Sequence, residues 1–408
     1  MALEIEIEPS EVGLDAARLA RIATHFDAYV EDRRLPGWLV TVSRGGQLAW
    51  TGRGGHRDRE QNLAVEDDTL WRIYSMTKPL TSLGAMILYE EGYFDLNDEV
   101  SRWIDEFADA RVYQSGPASA PVTVPASEPV RVVHLLSHMS GLTYGFNYTH
   151  PVDAIYREKG YDFGWPAGAD LARAVSDWAS SPLLFQPGTK WNYSVATDVL
   201  GRLIEIWSGQ SLDRFFRERI LDPLAMADTD WWCPPEKAER LAQIYVPSNG
   251  ASVPFDQLGR HSLRWPSILG GGGGLIASAA DYQRFMTMLL RGGELDGVRL
   301  LSSRTLALMV ENHLPGDTDL AAIAIDSFSE SDFAGVGFGL GFSVVLDRRA
   351  NRSLVSEGTF GWGGAASTAF WVDPLEELTV SFFTQLLPSG TYPIRRELQR
   401  LVYSSLID

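Results

Sequence analysis

The sequence predicts an α/β protein of the α+β kind, with one lobe built from both chain ends and a mainly helical lobe inserted between them. Three observations carry this expectation. At 408 residues the chain exceeds the length at which a single core usually stops growing, so two lobes are expected. Strand-like apolar runs cluster near the two ends. Between them, apolar residues recur mostly at helical spacing. The expected lobes are residues 1–95 together with 270–408, and residues 96–269, with a functional cleft where they meet.

In chain order, residues 14–34 read as an amphipathic helix through Leu14, Ala17, Leu19, Ile22, Phe26, Tyr29 and Val30, stopped by Pro36-Gly37. The strands Trp38-Leu39-Val40-Thr41-Val42 and Gln47-Leu48-Ala49-Trp50 flank Ser43-Arg44-Gly45-Gly46, a hairpin pattern. Leu70-Trp71-Arg72-Ile73-Tyr74 leads into a helix with apolar residues at 76, 80, 83 and 87. Ser115 to Pro129 lacks a periodic apolar face and reads as a loop. Helices are expected over 131–138, 168–180, 195–208 and 211–220. After the glycines 270–274 comes Ser278-Ala279-Ala280-Asp281, which reads as a capping box opening another helix. The last third returns to strands at 339–345, 369–372 and 378–383, then closes on a helix over about 393–406.

Composition excludes several classes. A chain that is 45% hydrophobic and 22% charged is ordinary for a water-soluble globular protein. Its net charge of −18, without a run of Lys or Arg, argues against nucleic acid and anionic membrane as partners. The N-terminal segment lacks a basic region followed by an apolar run, so no export signal is read, and no stretch is long and apolar enough to span a bilayer. Cys233 is the only cysteine, which excludes an intrachain disulfide and fits a reducing compartment; the cytoplasm is the expected location.

Chemistry is carried by short blocks. Ser75-Met76-Thr77-Lys78 places a hydroxyl and an amine three residues apart at the head of a helix, on one face, where the amine can activate the hydroxyl as a nucleophile. The same four residues are also compatible with a solvated Ser and Lys at a helix start. Pro79 disfavours helical geometry at Lys78, so the first turn is expected to be irregular or 3₁₀. In Pro187-Gly188-Thr189-Lys190-Trp191-Asn192-Tyr193-Ser194 a type II turn precedes a helix that Ser194 can cap, with Tyr193 either facing a cleft or packed beneath the loop. The glycines of Trp362-Gly363-Gly364-Ala365 permit either an exposed backbone N–H for an oxyanion or tight packing. His134 and His138 lie four apart on an expected helix, but no acidic residue is in phase with them, so capping or packing is expected and no metal or other cofactor. The glycine run lacks the Lys-Ser/Thr of a phosphate loop, and there is no G-x-S-x-G nucleophile elbow.

Taken in order, Ser75-Met76-Thr77-Lys78, Leu135-Leu136-Ser137-His138-Met139-Ser140-Gly141-Leu142, Pro187 through Ser194, Gly273-Gly274-Leu275-Ile276-Ala277-Ser278 through Phe285, and Trp362-Gly363-Gly364 resemble the serine β-lactamase and penicillin-binding-protein superfamily. The branch is class C-like, and the nearest likeness is to family VIII carboxylesterases. The match extends over residues about 38 to 385. It implies a β-lactamase-like fold with an antiparallel sheet flanked by helices. It also implies Ser75 as nucleophile, Lys78 and Tyr193 as the base pair, and the backbone N–H groups of Ser75 and Ala365 as the oxyanion hole.

Two departures turn the expectation from lactam to ester. Tyr193-Ser194-Val195 stands where lactamases carry Tyr-x-Asn, and Trp362-Gly363-Gly364 stands where they carry Lys-Thr-Gly, removing the cation and hydroxyl that hold a carboxylate. The expected activity is hydrolysis of short-chain esters, with Trp362, Gly363, Gly364, Tyr144, Phe146, Trp191 and Val195 contacting the small-molecule ester. The competing readings are a β-lactamase or D-amino-acid peptidase or amidase, an acyltransferase, and a non-catalytic ligand-binding member of the fold. Either Lys78 or Tyr193 can be the formal base, because both start from reference pKa values near 10.

Overall fold

The computed structural model describes residues 3–255, 261–325 and 333–407. Its organising element is an eight-stranded sheet. The spatial order is Val336–Phe338, Ser343–Val345, Phe360–Gly363, Ala369–Asp373, Leu378–Phe383, Gly37–Arg44, Gln47–Asp58 and Leu63–Ala64. Every neighbouring pair is antiparallel. The two halves of the chain join inside this sheet, where Leu39 pairs with Phe383 and Val42 with Val380.

Both faces of the central strands are covered, which is why Trp38-Leu39-Val40-Thr41-Val42 is nearly continuous in apolar character. On one face Leu39 and Phe383 belong to the larger core, with the helices Thr77–Glu90 and Ala279–Leu290. On the other, Trp38, Val40 and Val42 meet the helices Ala16–Glu31 and Ile394–Tyr403 through Phe26, Leu398 and Val402. Burying each such side chain contributes about 1.5–3 kcal/mol. Thr41, on the helix-facing side, is satisfied by Gln283 Oε1 at 3.1 Å and Ser381 Oγ at 2.6 Å.

Some expected elements differ from the observed ones for local reasons. The expected 115–129 loop contains the strand Val122–Pro125, paired with Arg111–Ser115 in a largely exposed hairpin that needs no apolar face. Of the expected strand 339–345 only Ser343–Val345 forms, because Gly341 at φ 101° turns the chain back onto an earlier strand, Val336–Phe338. Ser278 does cap the Ala279–Leu290 helix, accepting from Asp281 N at 3.2 Å. The capping box is not closed, however: the Asp281 carboxylate accepts from Thr229 Oγ1 and Asp228 N instead. The expected irregular start at Ser75 is observed as a 3₁₀ turn, Tyr74–Met76, ahead of the α-helix Thr77–Glu90. Among the described residues, no helix is long and apolar enough to cross a membrane.

Candidate active site

Ser75 is presented by a clamped turn. Tyr74 has φ 43°, an uncommon conformation for a non-glycine residue. The surrounding hydrogen bonds hold it: Ile73 N donates to Leu275 O at 3.1 Å, Leu275 N to Thr77 Oγ1 at 3.1 Å, and Tyr282 Oη to Met76 O at 2.9 Å. The turn ends in a helix whose residues 77–88 are all buried, so Lys78 enters the interior from its first turn. Its Nζ lies 3.5 Å from Ser75 Oγ, 2.9 Å from Tyr144 Oη and 2.5 Å from Gly272 O, and 4.5 Å from the centroid of the Tyr193 ring. The expected Ser75–Lys78–Tyr193 grouping is therefore brought together in space.

Tyr193 is held from behind. Asn192 N donates to His138 O at 3.0 Å, Asn192 Nδ2 to Leu142 O at 2.9 Å, and Val195 N to Thr143 O at 3.3 Å, so the 138–143 segment anchors the chain on both sides of the phenol. His138, buried with its Nδ1 3.3 Å from Ser194 Oγ, packs on the Tyr193 ring. His134 Nδ1 accepts from Arg131 N at the start of its helix. Both histidines thus pack or cap, and no cluster of potential metal ligands occurs among the described residues. The Tyr193 Oη accepts from Trp362 Nε1 at 3.2 Å. An indole N–H can only donate, so Trp362 stabilises electron density on the phenol oxygen without taking its proton.

The strand Phe360–Gly363 brings the other wall. Ser75, Tyr193, Trp362, Gly363, Gly364 and Ala365 line a single cavity. Gly364 must be glycine for this: a Cβ there would collide with Ile73 O and Thr368 Oγ1. The close approach sets the 363–365 segment against the Ser75 turn, and Ser389 N, donating to Ala365 O at 2.7 Å, fixes the peptide that follows. Two expected pocket residues are placed elsewhere. Trp191 is completely buried, behind Tyr193 among Met139, Leu314 and Phe338, and Val195 is buried in the main core at the start of the Ala196–Ser208 helix. Neither lines the cavity that opens on Ser75; Trp191 instead stacks on the Tyr193 ring. Tyr144 and Phe146 stack on each other on the Lys78 side of the site.

Three groups escape a reading of the sequence alone: Asp198, Gly272 and the hydroxyl of Tyr144. Asp198 is buried, and its Oδ1 accepts from Gly272 N at 2.9 Å. This hydrogen bond positions the Gly272 carbonyl that receives Lys78. A Cβ at Gly272 would run into the Asp198 carboxylate, and one at Gly271 into Thr197 O, so the glycine run is a strip laid directly on the Ala196–Ser208 helix. In the sequence Asp198 is indistinguishable from an ordinary first-turn acid.

Burial governs the charges. It pushes the Lys78 amine down to about 7, with the Asp198 carboxylate pulling the other way. Asp198 itself is raised by burial, and Lys78 and the Gly272 N–H oppose the rise. Tyr144 is held well above the usual phenol range by burial, then by Tyr193 and Asp198, and so remains a neutral phenol. His138 is depressed by burial and by Lys78, and so is neutral. Near neutral pH the site thus holds an amine able to take a proton from Ser75, with a phenol beside it.

This fold and this site define the serine enzymes built on the β-lactamase scaffold, hydrolases and acyltransferases alike. The chain belongs to the Beta-lactamase family, whose sequence model matches residues 22–404. It is 30% identical to Esterase EstB of Burkholderia gladioli over 420 aligned positions covering 98% of each chain. It is 35% identical to an uncharacterized protein of Mycobacterium tuberculosis over 358 positions, 87% of this chain and 86% of that one. Among solved structures, EstCE1, described as a hydrolase with promiscuous acyltransferase activity, superposes with a TM-score of 0.79 at 26% identity, covering 95% of this chain and 98% of that one.

Proposed function

We propose that this protein hydrolyses short-chain carboxylic esters through an acyl-enzyme on Ser75. The observation that carries the reading is the Lys78 amine, buried, lowered to about 7 and 3.5 Å from Ser75 Oγ. As Oγ bonds to the ester carbonyl carbon, its proton passes to the neutral Lys78 amine or to Tyr193 held as its phenolate. The carbonyl oxygen becomes an oxyanion between the N–H groups of Ser75 and Ala365. Collapse breaks the bond to the alcohol oxygen, which leaves with a proton from the same amine–phenol pair. A water then repeats the sequence on the acyl-enzyme and frees the acid.

Trp362 favours an uncharged ester over a β-lactam or a D-amino-acid peptide. It puts an indole where a carboxylate-binding cation would stand, and its N–H is already donated to Tyr193. Acyl transfer to an alcohol uses the same intermediate, and the likeness to EstCE1 supports it as a second reading. A panel of p-nitrophenyl esters and cephalosporins on wild type and Ser75→Ala, with mass detection of the acyl adduct, tests the proposal. The expected result is ester turnover and an adduct on Ser75, both lost in the variant. Full activity in Ser75→Ala would remove the mechanism; faster turnover of a cephalosporin than of p-nitrophenyl butyrate would replace ester by lactam. An added alcohol that captures the acyl group ahead of water would establish transfer.

A further inference from the structure

A stack of aromatic rings leads from the catalytic amine to the surface. Lys78 Nζ bonds Tyr144 Oη. The Tyr144 ring stacks on Phe146 at 4.5 Å and 17°, and Phe146 stacks on Phe163 at 5.4 Å and 12°. Phe163, the last ring, is 67% exposed. Its neighbours in the chain are also unusual: Tyr148 is 59% and Trp165 44% exposed. Tyr148 Oη is tied to Asp162 Oδ2 at 2.6 Å, and the Arg157 guanidinium lies 4.0 Å from the Tyr148 ring centroid, so the segment is held in place. Trp165 packs on Tyr161 and Trp178.

Scattered exposed apolar residues need no explanation, but an exposed ring that ends a stack beginning at the Lys78 amine does. The parallel arrangement narrows what that end can hold. The inner rings use their faces on one another, while Phe163 at the end of the stack is largely exposed. A planar π-system adds one more layer to such a stack, whereas a saturated ring of equal size cannot lie as close. We propose that Phe163, as the outer end of the Tyr144–Phe146 stack, forms a subsite for a flat aromatic or fused-ring group of the substrate, at a distance from the carbonyl set by the stack. This subsite rests on the ester reading for its substrate class, and on the ring geometry alone for its existence.

The test pairs substrates of one carbon skeleton. On the alcohol side these are acetates of 2-naphthylalkanols with linkers of one to six methylenes and their decahydronaphthyl counterparts; on the acyl side, methyl esters of 2-naphthylalkanoic acids over the same linker lengths and their decahydro counterparts. For wild type, at least one pair should favour the naphthyl member in kcat/KM by about 2- to 10-fold, the range an aromatic pair contributes. That preference should fall to near one in Phe163→Ala and Phe163→Leu and persist in Phe163→Tyr. The pair that responds identifies which side of the ester lies on the stack. In parallel, the Kd of the naphthyl esters for Ser75→Ala, read by naphthalene fluorescence, should weaken by a similar factor when Phe163→Ala is added. Ratios and Kd values indifferent to Phe163 overturn the subsite. A Kd that depends on Phe163 in a protein that turns over no ester keeps the subsite and removes the esterase reading.

Discussion

Lys78 is a side chain that would carry a proton in water, placed where water does not reach it. Its amine is lowered to about 7 by burial and would fall further without Asp198. Below that pH it is an ammonium with no lone pair to offer, so kcat/KM on an uncharged ester should climb as pH rises through about 7. Asp198→Asn keeps an oxygen to accept the Gly272 N–H but removes the negative charge. In that variant the acid limb of the pH profile should move to lower pH; an upward move or none would separate Lys78 from the limb. The same shift has a stability sign. Folded Lys78 binds its proton less tightly than the unfolded chain does. From about pH 7 up to the unfolded value near 10.4 the unfolded state holds the extra proton, and this group's contribution to stability rises with pH across that window. Ser75 and Lys78 are legible from their spacing, and Tyr193 through the family resemblance. Asp198, the Tyr144 hydroxyl and the Gly272 carbonyl are not: they meet Lys78 only through folding, and a backbone oxygen has no residue type.

The elements that carry the site act through close approach. Gly364 lets the end of the Phe360–Gly363 strand press on the carbonyl of Ile73, two residues ahead of Ser75. Gly364→Ala should displace the 363–365 segment and lower kcat by about 10²–10³, the cost of losing one oxyanion donor. Melting temperature should change far less than the rate; an unaltered kcat would show that Ala365 does not stabilise the oxyanion. Most helices and strands could be read from periodicity, because their apolar faces meet continuous layers, as Leu19, Ile22 and Phe26 do. The failures have physical causes. Gly341 breaks an apolar run that looked like one strand, and the Val122–Pro125 strand lies in an exposed hairpin without a buried stripe. The glycine run 270–274 was visible, but its purpose was not, since it serves a helix more than 60 positions earlier.

At the scale of the molecule, the first and last helices close one face of a sheet whose middle strands come from opposite ends of the chain. Ile394, Leu398 and Val402 are buried there, and Tyr403 Oη donates to the buried Asp373 at 2.7 Å. Removing residues 393–408 strips that cover from Trp371, Val380 and Phe382 and should abolish folding of the whole chain. Loss of soluble protein and of cooperative thermal unfolding would report it; a truncated chain that unfolds as sharply as the full one would mean the sheet stands without this helix. The joining of the two chain ends was anticipated from where the strand patterns cluster, whereas their order within the sheet was not, because apolar alternation records burial and not neighbours.

The Leu39–Phe383 pairing also sets a timetable for synthesis. The partner strand for Gly37–Arg44 is translated roughly 340 residues later. At the usual pace of about 5–20 residues per second, that leaves a hydrophobic central strand waiting on the order of 20–70 s for one of its neighbours. Its other partner, Gln47–Asp58, emerges at once, so a local hairpin forms early and shields one edge while the other stays open. The nascent protein is therefore expected to be most vulnerable to misassociation in the interval before its C-terminal strands arrive.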